Sequence, residues 1–161
     1  MTDAKQSTDG AQHIVHPLEP VFDARSRVLI LGTMPSPVSR QVGFYYGHPQ
    51  NRFWPTLAAL FDESLPQGND ERTAFALRHG IALWDVLASC TIVGASDASI
   101  RDAVANDLSR IFDAAPIERV FATGTKASAL YAKLCEPVYG RPAIALPSPS
   151  AANARMRLDD L

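Results

Sequence analysis

The chain has 161 residues, 47% of them hydrophobic and 20% charged. That is the length and balance of one ordinary globular domain, which excludes wholesale disorder. Fifteen Lys and Arg against 17 Asp and Glu leave a formal net charge of −2, which excludes a protein that coats nucleic acid by bulk positive charge.

Residues 1–13 are polar and lack an apolar signal core, so the first 15 residues are expected to form a flexible tail ahead of one domain over 16–161. His16 to Asp23 reads as an irregular lead-in. Arg27 to Leu31 is a continuous apolar run ending at Gly32, the pattern of a strand covered on both faces of a parallel sheet. Gly32 to Pro37 is a loop by its proline content. Asn51 to Phe61 reads as a helix, with Phe53, Leu57, Leu60 and Phe61 on one face, Asn51 as N-cap and Pro55 near the first turn. Asp70 to His79 is a second helix stopped by Gly80, and Ile81 to Trp84 is a short buried run. Residues 94–99 are loop, and Ile100 to Phe112 is expected to be helical. Ile117 to Ala122 is a strand closed by Thr123-Gly124-Thr125, Lys126 to Leu134 a helix, and Ala143 to Leu146 a strand followed by Pro147-Ser148-Pro149-Ser150. Ala151 to Leu161 opens another helix.

Strands alternating with helices predict a three-layer α/β/α sandwich with a central, mainly parallel sheet. Such sheets bind ligands outside the carboxyl ends of their strands. The loops at 32–37, 123–125 and 147–153 are therefore expected to meet at one site. Two cysteines, Cys90 and Cys135, exclude four-cysteine metal sites within one chain and read as buried small hydrophobes in a reducing compartment. The four histidines, His13, His16, His48 and His79, show no metal-ligand spacing. No apolar run reaches 18 residues, so no membrane span is expected, and the location is expected to be cytoplasmic, nucleoid-associated in a bacterium.

The densest stretch is Gly32 to Trp54, where aromatics, prolines, glycines and polar residues crowd without helix or strand period. That composition suits a binding loop. Gly32-Thr33-Met34-Pro35, His48-Pro49-Gln50-Asn51-Arg52-Phe53-Trp54 and Leu146-Pro147-Ser148-Pro149-Ser150 resemble, in order, the motifs of the uracil-DNA glycosylase superfamily. Most members carry Asp or Asn two residues after the first glycine, to position the attacking water; here that residue is Met34. Uracil-specific members often begin the second motif with His or Asn; here it is Leu146. These departures, with Tyr45-Tyr46, Asn153-Ala154 and the segments Trp84 to Cys90 and Ser96 to Ile100, are similar to the hypoxanthine (deoxyinosine) DNA glycosylase branch.

The resemblance implies a monofunctional DNA glycosylase that flips a deaminated base, hypoxanthine first, out of double-stranded DNA and leaves an abasic site. It assigns catalysis to Asn51 and a base pocket to Gly32, Thr33, Met34, Pro35, Tyr45, Tyr46 and His48, with Tyr46 stacking on the base. DNA contacts fall to Lys126, Ser148, Ser150, Asn153 and Arg155. No cofactor or metal is expected, and the protein is expected to act as a monomer. Uracil, xanthine or a mismatched pyrimidine are alternative substrates. A catalytically weak damage-binding module, motivated by Met34, and an unrelated domain binding a phosphorylated ligand stand as rivals.

Each residue also has a plainer reading. Asn51 caps its helix, His48 fixes the turn before Pro49, and Tyr45 and Tyr46 form a core pair. Trp54 is packing, and Ser148 is an N-cap. Asp85, after a buried run, is a supporting polar anchor rather than a catalytic acid, and Asp97 belongs to a turn. The net charge divides along the chain. Gly32 to Phe61 holds Arg40 and Arg52 but no acid, and Arg119 to Leu158 has Glu136 alone against six basic residues. A local basic face gripping a few phosphates is the expectation, with binding weakened by salt.

Overall fold

The computed structural model describes residues 10–94 and 96–150. Asn153, Arg155 and the helix expected from Ala151 lie outside the described residues. The apolar runs form the strands they predict: β2 (Val28–Gly32), β3 (Ile81–Asp85), β6 (Arg119–Thr123) and β7 (Ile144–Leu146) build a parallel sheet in the order β3-β2-β6-β7. Leu29, Leu31, Ala82, Leu83 and Ala122 are fully buried. Each Leu so buried contributes about 1.5–3 kcal/mol of transfer free energy. Helices α2 (Phe53–Leu60), α3 (Gly68–Arg78) and α5 (Thr125–Leu134) connect or flank these strands, giving the α/β architecture expected from the alternation. The register sets Gly32 beside Asp85, and Thr123 beside Leu146. The carboxyl ends of the strands therefore finish level at one edge.

Three expectations need correction. Residues Gln12–Val15 are not tail but strand β1, antiparallel to β4 (Leu87–Ile92). The helix expected over 100–112 is instead strand β5 (Arg101–Ala105) followed by the short helix α4 (Ser109–Phe112). Backbone bonding to β4 outweighs local preference there. Asp102 takes φ +54, which no helix continues through. Asn106 donates from Nδ2 to the carbonyls of Asp85 and Leu87 at 2.9 and 3.0 Å, and Asp107 Oδ1 accepts from the Ser109 N–H at 3.1 Å, starting α4 late. Third, part of the expected 32–37 loop opens helix α1 (Pro37–Val42). Ser36 Oγ accepts from the Ser39 N–H, Pro37 stands in the first turn, and Gly43 at φ +80 ends it. A last short helix, α6 (Glu136–Tyr139), follows α5.

Strands β1, β4 and β5 make a second, antiparallel sheet in the order β1-β4-β5. It is hinged to the first at Val86, whose N–H donates to the Gly32 carbonyl at 2.8 Å. This small sheet brings the lead-in chain, and His16 with it, under the strand ends: the His16 N–H donates to the Ala88 carbonyl at 2.7 Å. Cys90 and Cys135 are fully buried, and desolvation pushes both thiols up, Cys135 to about 11, as inert core thiols require.

Candidate active site

A pocket of about 350 Å³ opens at the level strand ends. Gly32, Asp85 and Thr123 come from three adjacent strands. Thr33 to Ser36, Tyr45, Tyr46, His48, Gln50, Asn51 and Ser148 to Ser150 form its walls. Asp97 comes from the 3₁₀ turn Asp97–Ser99. Among the described residues, the loops at 32–37, 123–125 and 147–150 converge on the pocket as expected. Every residue assigned to the base pocket lines this cavity, together with Asn51, Ser148 and Ser150. Lys126 does not line it.

Tyr46 is held in the left-handed region, φ +53, a conformation that bulky residues rarely adopt unless their surroundings impose it. Its ring stacks on Phe53 at 3.8 Å between centroids and 14° between planes. Its hydroxyl meets Thr123 Oγ1 at 3.0 Å, and Thr123 Oγ1 donates on to the Leu31 carbonyl at 3.3 Å. Thr123 has one proton to give, so Tyr46 is the donor of that pair. Burial, and then the nearby Asp85 charge, push the Tyr46 hydroxyl well above the usual tyrosine range. It stays a neutral donor at any working pH. Tyr45 is braced into the core instead. Its hydroxyl donates to the Glu19 carbonyl at 2.7 Å, and its own carbonyl accepts from Trp54 Nε1 at 3.0 Å. The core-pair reading therefore holds for Tyr45, which still presents part of itself to the cavity.

Asn51 Oδ1 accepts from the Phe53 N–H at 2.9 Å, at the start of α2. The capping reading holds in kind but not in position: the N-cap of α2 is Arg52, which makes no side-chain cap bond, and Asn51 caps from one residue ahead, which fixes its amide at the pocket wall. His48 Nδ1 accepts from the Gln50 N–H at 3.0 Å, so the turn reading is also correct, and in the neutral ring the proton sits on Nε2. Arg52 ties the two motifs together. Its N–H and Nε both donate to the Pro149 carbonyl, at 2.9 and 3.4 Å, and its Nη2 donates to the Ser150 carbonyl at 2.7 Å. Arg40 Nη1 likewise donates to the Pro35 carbonyl at 3.2 Å. Ser148 Oγ accepts from the Ser150 N–H at 3.3 Å, a local bond within its own loop. Gly124 takes φ +91, which favours glycine, and lies against Ser148, where the 123–125 and 147–150 loops pack together. Asp97 is an exposed residue, yet the protein around its carboxyl displaces enough water to push its pKa up. The charge of Lys126 partly offsets this.

One pair escaped the sequence reading. His16 Nε2 lies 2.7 Å from Asp85 Oδ2, and the two side chains are 3% and 6% exposed. His16 Nδ1 accepts from the Leu18 N–H at 3.2 Å. Asp85 carried a legible signal, standing at the carboxyl end of a buried run as Gly32 does. His16 carries none, because its partner is 69 positions away.

The profile of the uracil DNA glycosylase superfamily matches residues 19–160. A curated hypoxanthine DNA glycosylase of Methanosarcina barkeri (strain Fusaro / DSM 804) is 36% identical over 137 residues, 84% of this chain and 86% of that protein. Another, from Methanosarcina acetivorans, is 33% identical over 136 residues, 84% of this chain and 85% of that protein. A solution NMR structure of a candidate uracil DNA glycosylase from Methanosarcina acetivorans superposes with a TM-score of 0.75, at 29% identity, covering 88% of each chain.

Proposed function

The chain belongs to the uracil DNA glycosylase superfamily, and on that premise we propose that it excises hypoxanthine from double-stranded DNA. It does so as a monofunctional glycosylase, a single domain that takes in strand β1 and acts as a monomer in the cytoplasm. No helix among the described residues is long and apolar enough to cross a membrane. The observation that carries the reading is the meeting of both motifs in one pocket, joined by Arg52. The substrate rests on the names of the two curated relatives and on Leu146, which offers no hydrogen bond to a uracil.

Hydrolysis of an N-glycosidic bond passes through an oxocarbenium-like sugar while the base departs with its electron pair. The enzyme's work is to flip the nucleotide, grip the base, place a water and stabilise the departing charge. Tyr46, backed by Phe53, offers a ring face on which a flipped base stacks, worth about 1–3 kcal/mol. Asn51 is a poor general base but orients a water, and its cap to Phe53 fixes it in place. A dissociative transition state needs little more nucleophilic push. His48 Nε2–H is a donor for the departing base. Ser148, Ser150, Lys126, Asn153 and Arg155 take the phosphates around the lesion. Met34, in place of the usual acid or amide, favours a second reading, a module that binds damage without cleaving.

Duplexes carrying one hypoxanthine, uracil or xanthine, treated with protein and then alkali, test this reading. Strand cleavage at hypoxanthine is the expected result. Cleavage at uracil alone overturns the substrate, and binding without cleavage overturns the activity in favour of the damage-binding module.

A further inference from the structure

Of the two carboxylates that line the pocket among the described residues, Asp97 comes from the 3₁₀ turn and Asp85 from a strand end, and the two oxygens of Asp85 do different things. Oδ2 takes the bond from His16. Oδ1 accepts no hydrogen bond among the described residues, although Asp85 is 4% exposed. It lies 2.6 Å from where a side-chain carbon of Gly32 would stand, and that same point is 3.4 Å from the Tyr46 hydroxyl and 3.6 Å from Thr123 Oγ1. Three oxygens thus converge over a glycine that leaves them room. His16 decides what Asp85 presents. Its Nδ1 is occupied as an acceptor by the Leu18 N–H, so its proton is on Nε2, and it can only donate to Asp85. The carboxylate is therefore held with one oxygen turned to the imidazole and the other left as an acceptor in the pocket.

We propose that His16 and Asp85 form a selectivity dyad, in which His16 positions Asp85 so that its second oxygen accepts a hydrogen bond from the ring N–H of a flipped, deaminated base. The proposal rests on the glycosylase reading above. Its chemistry is a matter of tautomers. Hypoxanthine carries a hydrogen on N1, and uracil carries one on N3. Adenine and cytosine carry a lone pair at the same ring positions. A buried carboxylate attracts the first pair and repels the second. Deamination is thereby read at the atom where it changes donor for acceptor, and a buried polar group left unpaired discriminates strongly.

The test is single-turnover base release from duplexes carrying either hypoxanthine or unsubstituted purine, whose N1 bears a lone pair. Both substrates are read on the same preparation, so partial unfolding cancels from their ratio. In Asp85→Asn the locked His16 holds the amide oxygen and turns the NH₂ into the pocket. Hypoxanthine release should fall at least about tenfold and purine release should rise. His16→Ala should narrow the hypoxanthine-to-purine ratio at least about tenfold, and His16→Gln, which keeps a donor, should restore it to within about threefold. A ratio that moves less than about threefold in both Asp85→Asn and His16→Ala overturns the dyad. If the wild type releases uracil and not hypoxanthine, the substrate reading fails separately, and the dyad is judged by the same ratio on uracil against 2-pyrimidinone. If the wild type releases no base at all, both readings fall.

Discussion

At the scale of single residues, Gly32 is held to glycine by contact, not by backbone angle. A methyl group there would stand 2.6 Å from Asp85 Oδ1, closer than non-bonded atoms sit. Gly32→Ala should displace the carboxylate, cost about 1–3 kcal/mol of stability, and abolish measurable base release. Thermal melting together with a single-turnover assay checks both parts. Asn51 separates cap from chemistry. Asp caps as well as Asn, so Asn51→Asp should leave stability within about 0.5 kcal/mol, whereas Asn51→Ala should cost about 1 kcal/mol. In Asn51→Ala, base release should fall at least about 100-fold. A folded Asn51→Ala protein near wild-type activity would reduce Asn51 to its cap. Residues such as Asn51, His48 and Tyr45 were legible because each sits in a dense motif. The bonds that fix a turn, a helix start or a core ring also hold each of these side chains at the pocket wall. Asp85 was legible as a buried polar anchor. What it anchors was not, because His16 is a distant partner.

Among the elements, β2 and β3 are legible because burial on both faces demands unbroken apolar runs, whereas the more exposed β6 and β7 are legible from short apolar runs closed by Thr, Gly, Pro and Ser. Strands β1 and β5 are largely exposed, β4 is buried on one side only, and none carries such a run. What makes them strands is one another's backbone, which no local pattern records. Helix α1 hid behind its prolines, although Ser36 and Pro37 are start signals once the helix is known. The joint between elements that matters most is Arg52. It sits at the start of α2 and holds two carbonyls of the loop after β7. Arg52→Met should keep helix α2 yet let that loop drift from the pocket. The expected result is a KM for damaged duplex raised at least about tenfold with far-ultraviolet dichroism unchanged. An unaltered KM would show that the loops hold together without the clamp.

For the whole molecule, the expected basic face is thinner than its count of arginines. Arg40, Arg52 and Arg141 spend guanidinium N–H groups on backbone carbonyls, bracing loops from within. A grip on few phosphates should show as a shallow salt dependence. The slope of log binding constant against log salt should lie between about −2 and −4, by titration of a labelled duplex. Stability should also fail on the alkaline side. Burial pushes the Tyr131 hydroxyl up to about 12, and the hydroxyls of Tyr45, Tyr46 and Tyr139 are raised as well. A raised folded pKa means the folded state keeps its proton while the unfolded chain loses it. This stabilisation is complete below the unfolded tyrosine value of about 10 and is lost as pH climbs through the folded values. Melting temperature should fall steadily above about pH 10, preceded by a smaller loss from about pH 9 as Cys135 contributes.

We propose that this pocket releases a deaminated purine from DNA. The direct measurement is free base recovered from a duplex carrying one hypoxanthine, with the same duplex carrying adenine as control. Recovery of free hypoxanthine and an alkali-labile abasic strand from the first, and nothing from the second, is the result expected. An intact hypoxanthine strand after full binding would contradict it.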